Sequence, residues 1–366
     1  MKQITMSDSV EIVDPKLRAL VQRIVKKIEL ATDKVAANSQ DPKKFPLSPN
    51  PKSFEQIIAA RFRTLSDANK KMAAQKALNR INATKAEREA SYGDLAQIDL
   101  TKAISIEDQA KAVPFPNSLK FSLDYLKSLT NLHGDVLSSR LTVLGKQPQN
   151  KSLVTQPVTD KLEFRIHSVE CVDRTSDGLF GTEGSDEIRL GGTKVDETGD
   201  TGKVVDFSVK TFYKDGEQKT YSPPLRFTSF DLNEGTVFPK SYFVTLVLAE
   251  ADMGGFSDFL NDFLYSIKDE VTAALVAAIS TGIALGSSGG PVGAIIGAAV
   301  GAAVAEGIQL IKKITGDEVF TPHTLSCTIY SLNGTWDGST DSPEHITTFI
   351  GYNGIYELKY DWRKYA

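Results

Sequence analysis

Two hydrophobic periods divide this chain. Up to about residue 150 the apolar residues recur at helical spacing, and from about residue 160 they alternate. Asp14 is a good N-cap, and Pro15 suits the first helical position. Leu17, Leu20, Val21, Ile24, Val25, Ile28 and Ala31 then make one apolar stripe, with Lys16, Arg23, Lys26 and Lys27 outside it. Asp41 to Ser53, rich in Pro and Lys, reads as a loop. A second helix is predicted from about Ser66 to Ala90, with Met72, Leu78 and Ile81 in its thin stripe. A third is predicted from about Asn117 to Leu144, stopped by Gly145.

Past a polar linker with Pro148 and Pro157, the period becomes two. Leu162, Phe164 and Ile166 alternate with polar residues, as do Val205, Phe207 and Val209, then Val244, Leu246 and Leu248, and later Leu325, Cys327 and Ile329. Ile346 to Ile350 and Ile355 to Tyr360 are the last strand candidates. Gly191-Gly192, Asp215-Gly216, Pro223-Pro224, Asn333-Gly334 and Asn353-Gly354 read as turns between strands. The expected fold class is α+β: an N-terminal helical domain over 1–150, then an antiparallel β-sandwich over 160–252 and 318–366, interrupted by a hydrophobic helical hairpin over 253–317.

That interruption carries the functional expectation. It opens with the amphipathic stretch Phe256, Phe259, Leu260, Phe263, Leu264 and Ile267. After Asp269 and Glu270 no charged residue occurs from Val271 to Ala305, and Glu306 ends the run. The tight polar turn Gly286-Ser287-Ser288-Gly289-Gly290-Pro291 splits it into two arms. Arms of roughly 15–20 residues measure about 22–30 Å, marginal for a bilayer core of about 30 Å. The second arm has Gly289, Gly293, Gly297, Gly301 and Ala305 at a spacing of four. Each helical glycine costs about 1 kcal/mol against Ala. A glycine face compensates by letting another helix come close, as helices do in lipid. The first arm offers Ala273, Ala274, Ala277, Ala278 and Gly282 as a matching small surface. The bland alternative is a hairpin buried for good inside the protein or packing an oligomer, since small residues also pack helices onto sheets.

Composition adds three points. The overall charge of −4 hides a basic half, 1–150, and an acidic half, 151–366. The basic half suits an acidic partner or anionic surface, but no Lys/Arg block is dense enough for nucleic acid. Cys171 and Cys327 make no disulfide framework; buried free thiols are the plain reading, one bridge the alternative. Met1 to Leu20, broken by Asp8, Glu11 and Asp14, reads as no secretory signal. The expectation is a protein made soluble in the bacterial cytoplasm and exported by a route that reads no such peptide.

Candidate chemistry is sparse. Asp173, Asp177, Glu183, Asp186 and Glu187 fall between the first two strand candidates; Glu250 and Asp252 end the strand before the hairpin. Hard oxygen ligands on sandwich loops suit Ca²⁺, so Asp173, Asp177, Asp186, Glu187, Glu250 and Asp252 are candidate ligands, against the plain reading of solvated loop charges. The strand–Asp-x-x-x-Asp–strand pattern is similar to the calcium-and-membrane arrangement of C2-type sandwiches. His133, His167, His323 and His345 lack metal spacing, and no G-x-S-x-G, P-loop or dinucleotide fingerprint occurs. The chain therefore reads as no enzyme.

By module order the chain resembles bacterial effectors delivered by injection machines. Its hairpin, over Phe256 to Ile314, resembles those of colicin-like pore-formers. It departs from them in interrupting a β-domain rather than sitting in a ten-helix bundle. The resemblance implies a toxin that hides a hydrophobic hairpin and inserts it into a lipid membrane, with injection machinery and a homo-oligomer as partners. The competing expectation is a non-enzymatic structural, adaptor or cargo protein.

Overall fold

The computed structural model of the protein describes residues 5–7, 12, 14–121, 159–175, 185–196, 200–234, 238, 240–250, 256–278, 291–315, 320–351 and 354–366. Within them the fold is mixed α+β, with seven α-helices and two antiparallel sheets.

The helices begin with α1, Pro15–Asn38, capped as expected by Asp14, whose side chain accepts from the Leu17 N–H at 2.8 Å. Next come α2 Phe54–Phe62, α3 Asp67–Ile81, α4 Lys85–Tyr92 and α5 Ile106–Ala112. The single helix predicted over Ser66 to Ala90 is two. Thr84 and Glu87 form a reciprocal capping box that starts α4 afresh. The stripe reading did not yield α2 and α5: each is shorter than three helical turns, too short for a period to show. The predicted third helix lies beyond the described residues except for a 3₁₀ turn at Asn117–Leu119.

α1 is the hub of the helical layer. Its predicted stripe is buried apart from half-buried Val25, but so are Arg23 and Lys27, expected outside it, and Asp33 and Lys34. Opposite charges from distant elements allow this. Arg23 meets Asp94 at 2.9 Å, Lys34 meets Glu55 at 2.9 Å, and Asp33 accepts from Arg80 and from the Tyr92 hydroxyl.

The strands are β1 Thr5–Ser7, β2 Lys161–Asp173, β3 Asp186–Val195, β4 Thr201–Phe212, β5 Gln218–Asp231, β6 Lys240–Glu250, β7 His323–Ile329, β8 His345–Gly351 and β9 Gly354–Tyr365. One sheet runs β1-β7-β6-β3-β4, the other β5-β2-β9-β8. The chain's start is thus not all helical: β1 adds an edge to β7. Two dipeptides read as turns lie inside strands. Pro223-Pro224 falls in β5, where the pairing with β2 skips from Leu225 to Thr220. Gly191-Gly192 falls in β3 opposite a bulge in β4, where the register passes from Leu190↔Phe207 to Gly192↔Val204. A Cβ on Gly191 would stand 2.8 Å from the Asp206 Cβ, and one on Gly192 1.9 Å from the Thr245 carbonyl oxygen. The same bulge turns Val205 outward, 67% exposed, and brings Val204 in, which breaks the alternation expected from Val205 to Val209. Asp215-Gly216 is a turn, with Gly216 at φ 77.

Side chains from both sheets share one core: Phe164, Tyr356, Tyr360 and Trp362 from the four-stranded sheet meet Leu190, Tyr242, Val244 and Leu246 from the five-stranded one. Every residue of β6 is buried. Alternate positions explain it: Tyr242, Val244, Leu246 and Leu248 face the other sheet, while Phe243, Val247 and Ala249 belong to a second core with the helices. Between β6 and β7, which pair with each other, the chain forms α6, Phe256–Ala278, and α7, Pro291–Thr315. Both helices share that second core with α1 to α5. The molecule is therefore layered: helices, five-stranded sheet, four-stranded sheet.

Candidate functional site

The helix pair is the feature with the least ordinary sequence, and its surroundings follow from its side chains. α6 continues the amphipathic stretch without a break into the uncharged run. Phe259, Phe263, Leu264, Ile267, Val271 and Ala274 are its buried face. Phe263 stacks on Phe259 with centroids 5.5 Å apart and tilts against Phe54 of α2 at 6.1 Å. α7 continues past Glu306 through Lys312 and Lys313. Ala298, Ala299, Val300, Ala303, Val304 and Ile308 are buried along it, which leaves little of its middle to solvent.

Gly297 and Gly301 of α7 make their closest approach to the sheet rather than to the first arm. A Cβ on Gly297 would lie 2.3 Å from Phe243 Cδ2 of β6, and one on Gly301 2.3 Å from Thr324 Oγ1 of β7. Thr324 is itself held 3.0 Å from Thr245 Oγ1. One turn and a half on, Gly307 admits Phe263 of α6 and Ile28 of α1, at 3.0 and 3.1 Å from its would-be Cβ. Ala274 is buried and Ala305 half-buried. Ala278 and Gly293 belong to α6 and α7, and Gly282 and Gly289 lie outside the described residues. Among the described residues no helix is long and apolar enough to cross a membrane.

The helical layer grips the pair by polar contacts. Lys27 Nζ of α1 donates to Glu270 Oε2 of α6 at 2.5 Å, both side chains buried. Gln22 of α1 donates to Glu306 Oε2 of α7 at 2.7 Å. Burial raises the Glu306 carboxyl above its ordinary range, against the Gln22 hydrogen bond and the Arg18 charge. Beside α6 lies a cleft of about 760 Å³, bounded by the 50–53 loop, α2, α5 and α6. Glu107 of α5 lines it. Its Oε1 accepts from the Phe54 N–H at 2.6 Å, and its buried Oε2 has no partner. Burial foremost, with the like charges of Glu55 and Glu270, pushes its carboxyl up to about 7 although two backbone N–H groups pull it down. Nothing in the local sequence announced these residues. Their partners stand up to 284 positions away, so only a fold brings them together.

Among the described residues the acidic set does not assemble. Asp173 and Glu187 are exposed, and Asp177, Glu183 and Asp252 lie outside the described residues. Asp186 is buried, but its Oδ2 accepts from the Tyr356 hydroxyl at 2.5 Å and from the Thr175 N–H at 2.9 Å. Glu250 is buried at the end of β6, across from Ile188. Among the described residues no three His, Cys, Asp or Glu side chains could hold a metal ion together.

Cys171 and Cys327 are both free and buried between the sheets, where burial pushes the Cys171 thiol up to about 11 and Cys327 well above its ordinary value. On the outer face of the four-stranded sheet, Arg165 grips Asp361 at 2.8 and 2.5 Å, and His167 stands 3.2 Å from both Asp361 and Glu344. This network satisfies Asp361, which is buried in the last strand. The chain has no significant match among protein-family profiles, curated proteins or solved structures.

Proposed function

We propose that this protein is a membrane-directed effector that stores a hydrophobic helical hairpin, α6–α7, inserted in a β-sandwich, and releases it into a target bilayer. One observation supports the reading above others: among the described residues, the core between the sheets contains none from α6 or α7. The buried apolar side chains described for the pair belong to the other core, between α1 and the five-stranded sheet. Its departure would leave the sandwich core intact. Within the pair, no charge occurs from Val271 to Ala305, so the segment suits hydrocarbon once its cover is gone. The N-terminal helices, in this reading, shield the hairpin, and the protein reaches its target from outside the producing cell by an injection route. Lipid is its partner, and several copies would be needed to line a pore, since the arms offer few polar side chains.

The second reading is a hairpin fixed for good, with a structural or adaptor role. It is favoured by the fit of Gly297 and Gly301 onto Phe243 and Thr324, which explains the glycine spacing without lipid.

A covalent lock separates the two. A Cβ on residue 301 would stand 2.8 Å from the Thr324 Cβ, so Gly301→Cys with Thr324→Cys can form a disulfide once α7 and β7 part by about 1 Å. Dye release is measured from anionic and neutral liposomes at pH 6 and 8, with and without Ca²⁺. Silence when oxidised and release on reduction support the stored hairpin. Silence of both forms and of the wild type, with a stable assembly in solution, supports the fixed one. Calcium dependence of release would bring the acidic loops into the mechanism.

A further inference from the structure

We infer that the junction of α2, α5 and α6 is a proton-controlled latch: it holds α6 while the Glu107 carboxyl is protonated and loosens when that carboxyl ionises. The inference rests on the reading that the helix pair is stored rather than fixed.

The geometry is that of a carboxyl caught among occupied partners. Glu107 spends one oxygen on the first N–H of α2 and leaves the other buried and unpartnered beside the cleft. Three of the nearby cations are engaged elsewhere: Lys27 of α1 with Glu270, Lys34 of α1 with Glu55, and Lys111 of α5 with Asp108. From α2 Glu55 faces it, from α6 Asp262, Asp269 and Glu270 line the same cleft, from α5 itself Asp108 and Lys111 do, and the 50–53 loop adds Lys52. An ionised Glu107 thus adds a buried negative charge to a site where acids outnumber bases. The strain falls on the cleft between α5 and α6, where Glu270 is also the anchor for Lys27.

The sign follows from linkage. The carboxyl is raised from 4.5 to about 7 in the closed form. The closed form therefore holds a proton that an open form gives up, and its advantage is present at low pH and lost as pH rises through 7. Acid closes this latch and neutral-to-alkaline conditions loosen it.

Hydrogen exchange of the full chain without lipid tests this, using protection factors, which divide out the intrinsic pH dependence of exchange. Protection over 259–274 is expected to fall about tenfold between pH 6 and pH 8, while β2 and β9 hold theirs. Glu107→Gln is expected to keep α6 protected at both pH values. Lys111→Gln, an exposed change that removes a nearby positive charge, is expected to move the midpoint to higher pH, and it serves if Glu107→Gln does not fold. Three results would each overturn the latch: a flat wild-type profile, a fall shared by β2 and β9, or a midpoint unmoved in Lys111→Gln. No lipid enters, so this failure is distinct from failure of the liposome assay.

Discussion

The two cores of this protein differ most where α7 meets the five-stranded sheet. Between the sheets stand large rings: Trp362, Phe164, Tyr360, Tyr356, Phe230 and Tyr242, in contact at centroid distances such as 4.9 Å for Phe164–Tyr360 and 5.0 Å for Phe230–Tyr242. Around α7 stand Ala298, Ala299, Ala303, Gly297 and Gly301, and the surrounding helices are joined by buried ion pairs. Rings hold by area and shape, which respond little to pH or salt. Small residues bury little area each, so the seat of α7 depends more on backbone closeness, and the helices around it add rings of their own and charges that must stay matched. One region is thus set hard, and the other is responsive.

Removing a ring tests the first region hardest. Trp362→Ala deletes the largest fully buried side chain, and should lower the unfolding free energy by about 3–5 kcal/mol in chemical denaturation. In the helical layer the comparable injury is a stranded charge. Glu270→Leu should cost about 3 kcal/mol by leaving Lys27 buried alone, whereas Lys27→Met with Glu270→Leu should come within about 1 kcal/mol of wild type. A near-neutral single variant would place that pair outside the responsive region. Next comes closeness: Gly297→Ala sets a methyl into the Phe243 ring and should cost about 1–3 kcal/mol, read locally as lost protection over α7 while β9 keeps its own.

The finest distinction is in pH. Glu107 and Glu306 are both raised by burial, so the helical layer is steadiest in acid and weakens as pH climbs through their raised range. The sheets carry the reverse. Burial lowers Lys364 to about 8 and also lowers His323. Between about pH 8 and 10.5 the unfolded chain keeps a proton that folded Lys364 has released, so the sheet region gains stability as pH rises there. A pH series of exchange on α6 and β9 should therefore show opposite slopes, and parallel slopes would erase the distinction.

Much of the fold was legible in sequence because periodicity survives without partners. The α1 stripe, the inward faces of β2, β6 and β7, and the helical character between β6 and β7 all follow from spacing alone. Errors arose where geometry overrides local preference. Gly191-Gly192 looks like a turn, yet serves a strand facing a bulge and a neighbouring carbonyl. Arg23 and Lys27 look solvated, yet Asp94 and Glu270 arrive from far along the chain to cover them. The glycine repeat suggested a partner helix, whereas Gly297 and Gly301 face side chains of the sheet; spacing carries no information about whether the near surface is a helix, a lipid-borne partner or a sheet. Glu107, the most perturbed carboxyl of the cleft, sits in a seven-residue helix with no pattern to mark it.

Three buried lysines share a habit with a practical consequence. Lys34 donates to the carbonyls of Lys102 and Ile104, Lys240 to those of Leu232 and Glu234, and Lys364 to those of Leu332 and Gly334. Each reaches for main-chain oxygen, which every amino acid supplies. The loops so held are free to change their side chains as long as their path is kept. They are the natural places to graft an epitope or a fluorophore site, and the ammonium groups beneath them should stay unlabelled by amine-reactive reagents for as long as each loop remains seated.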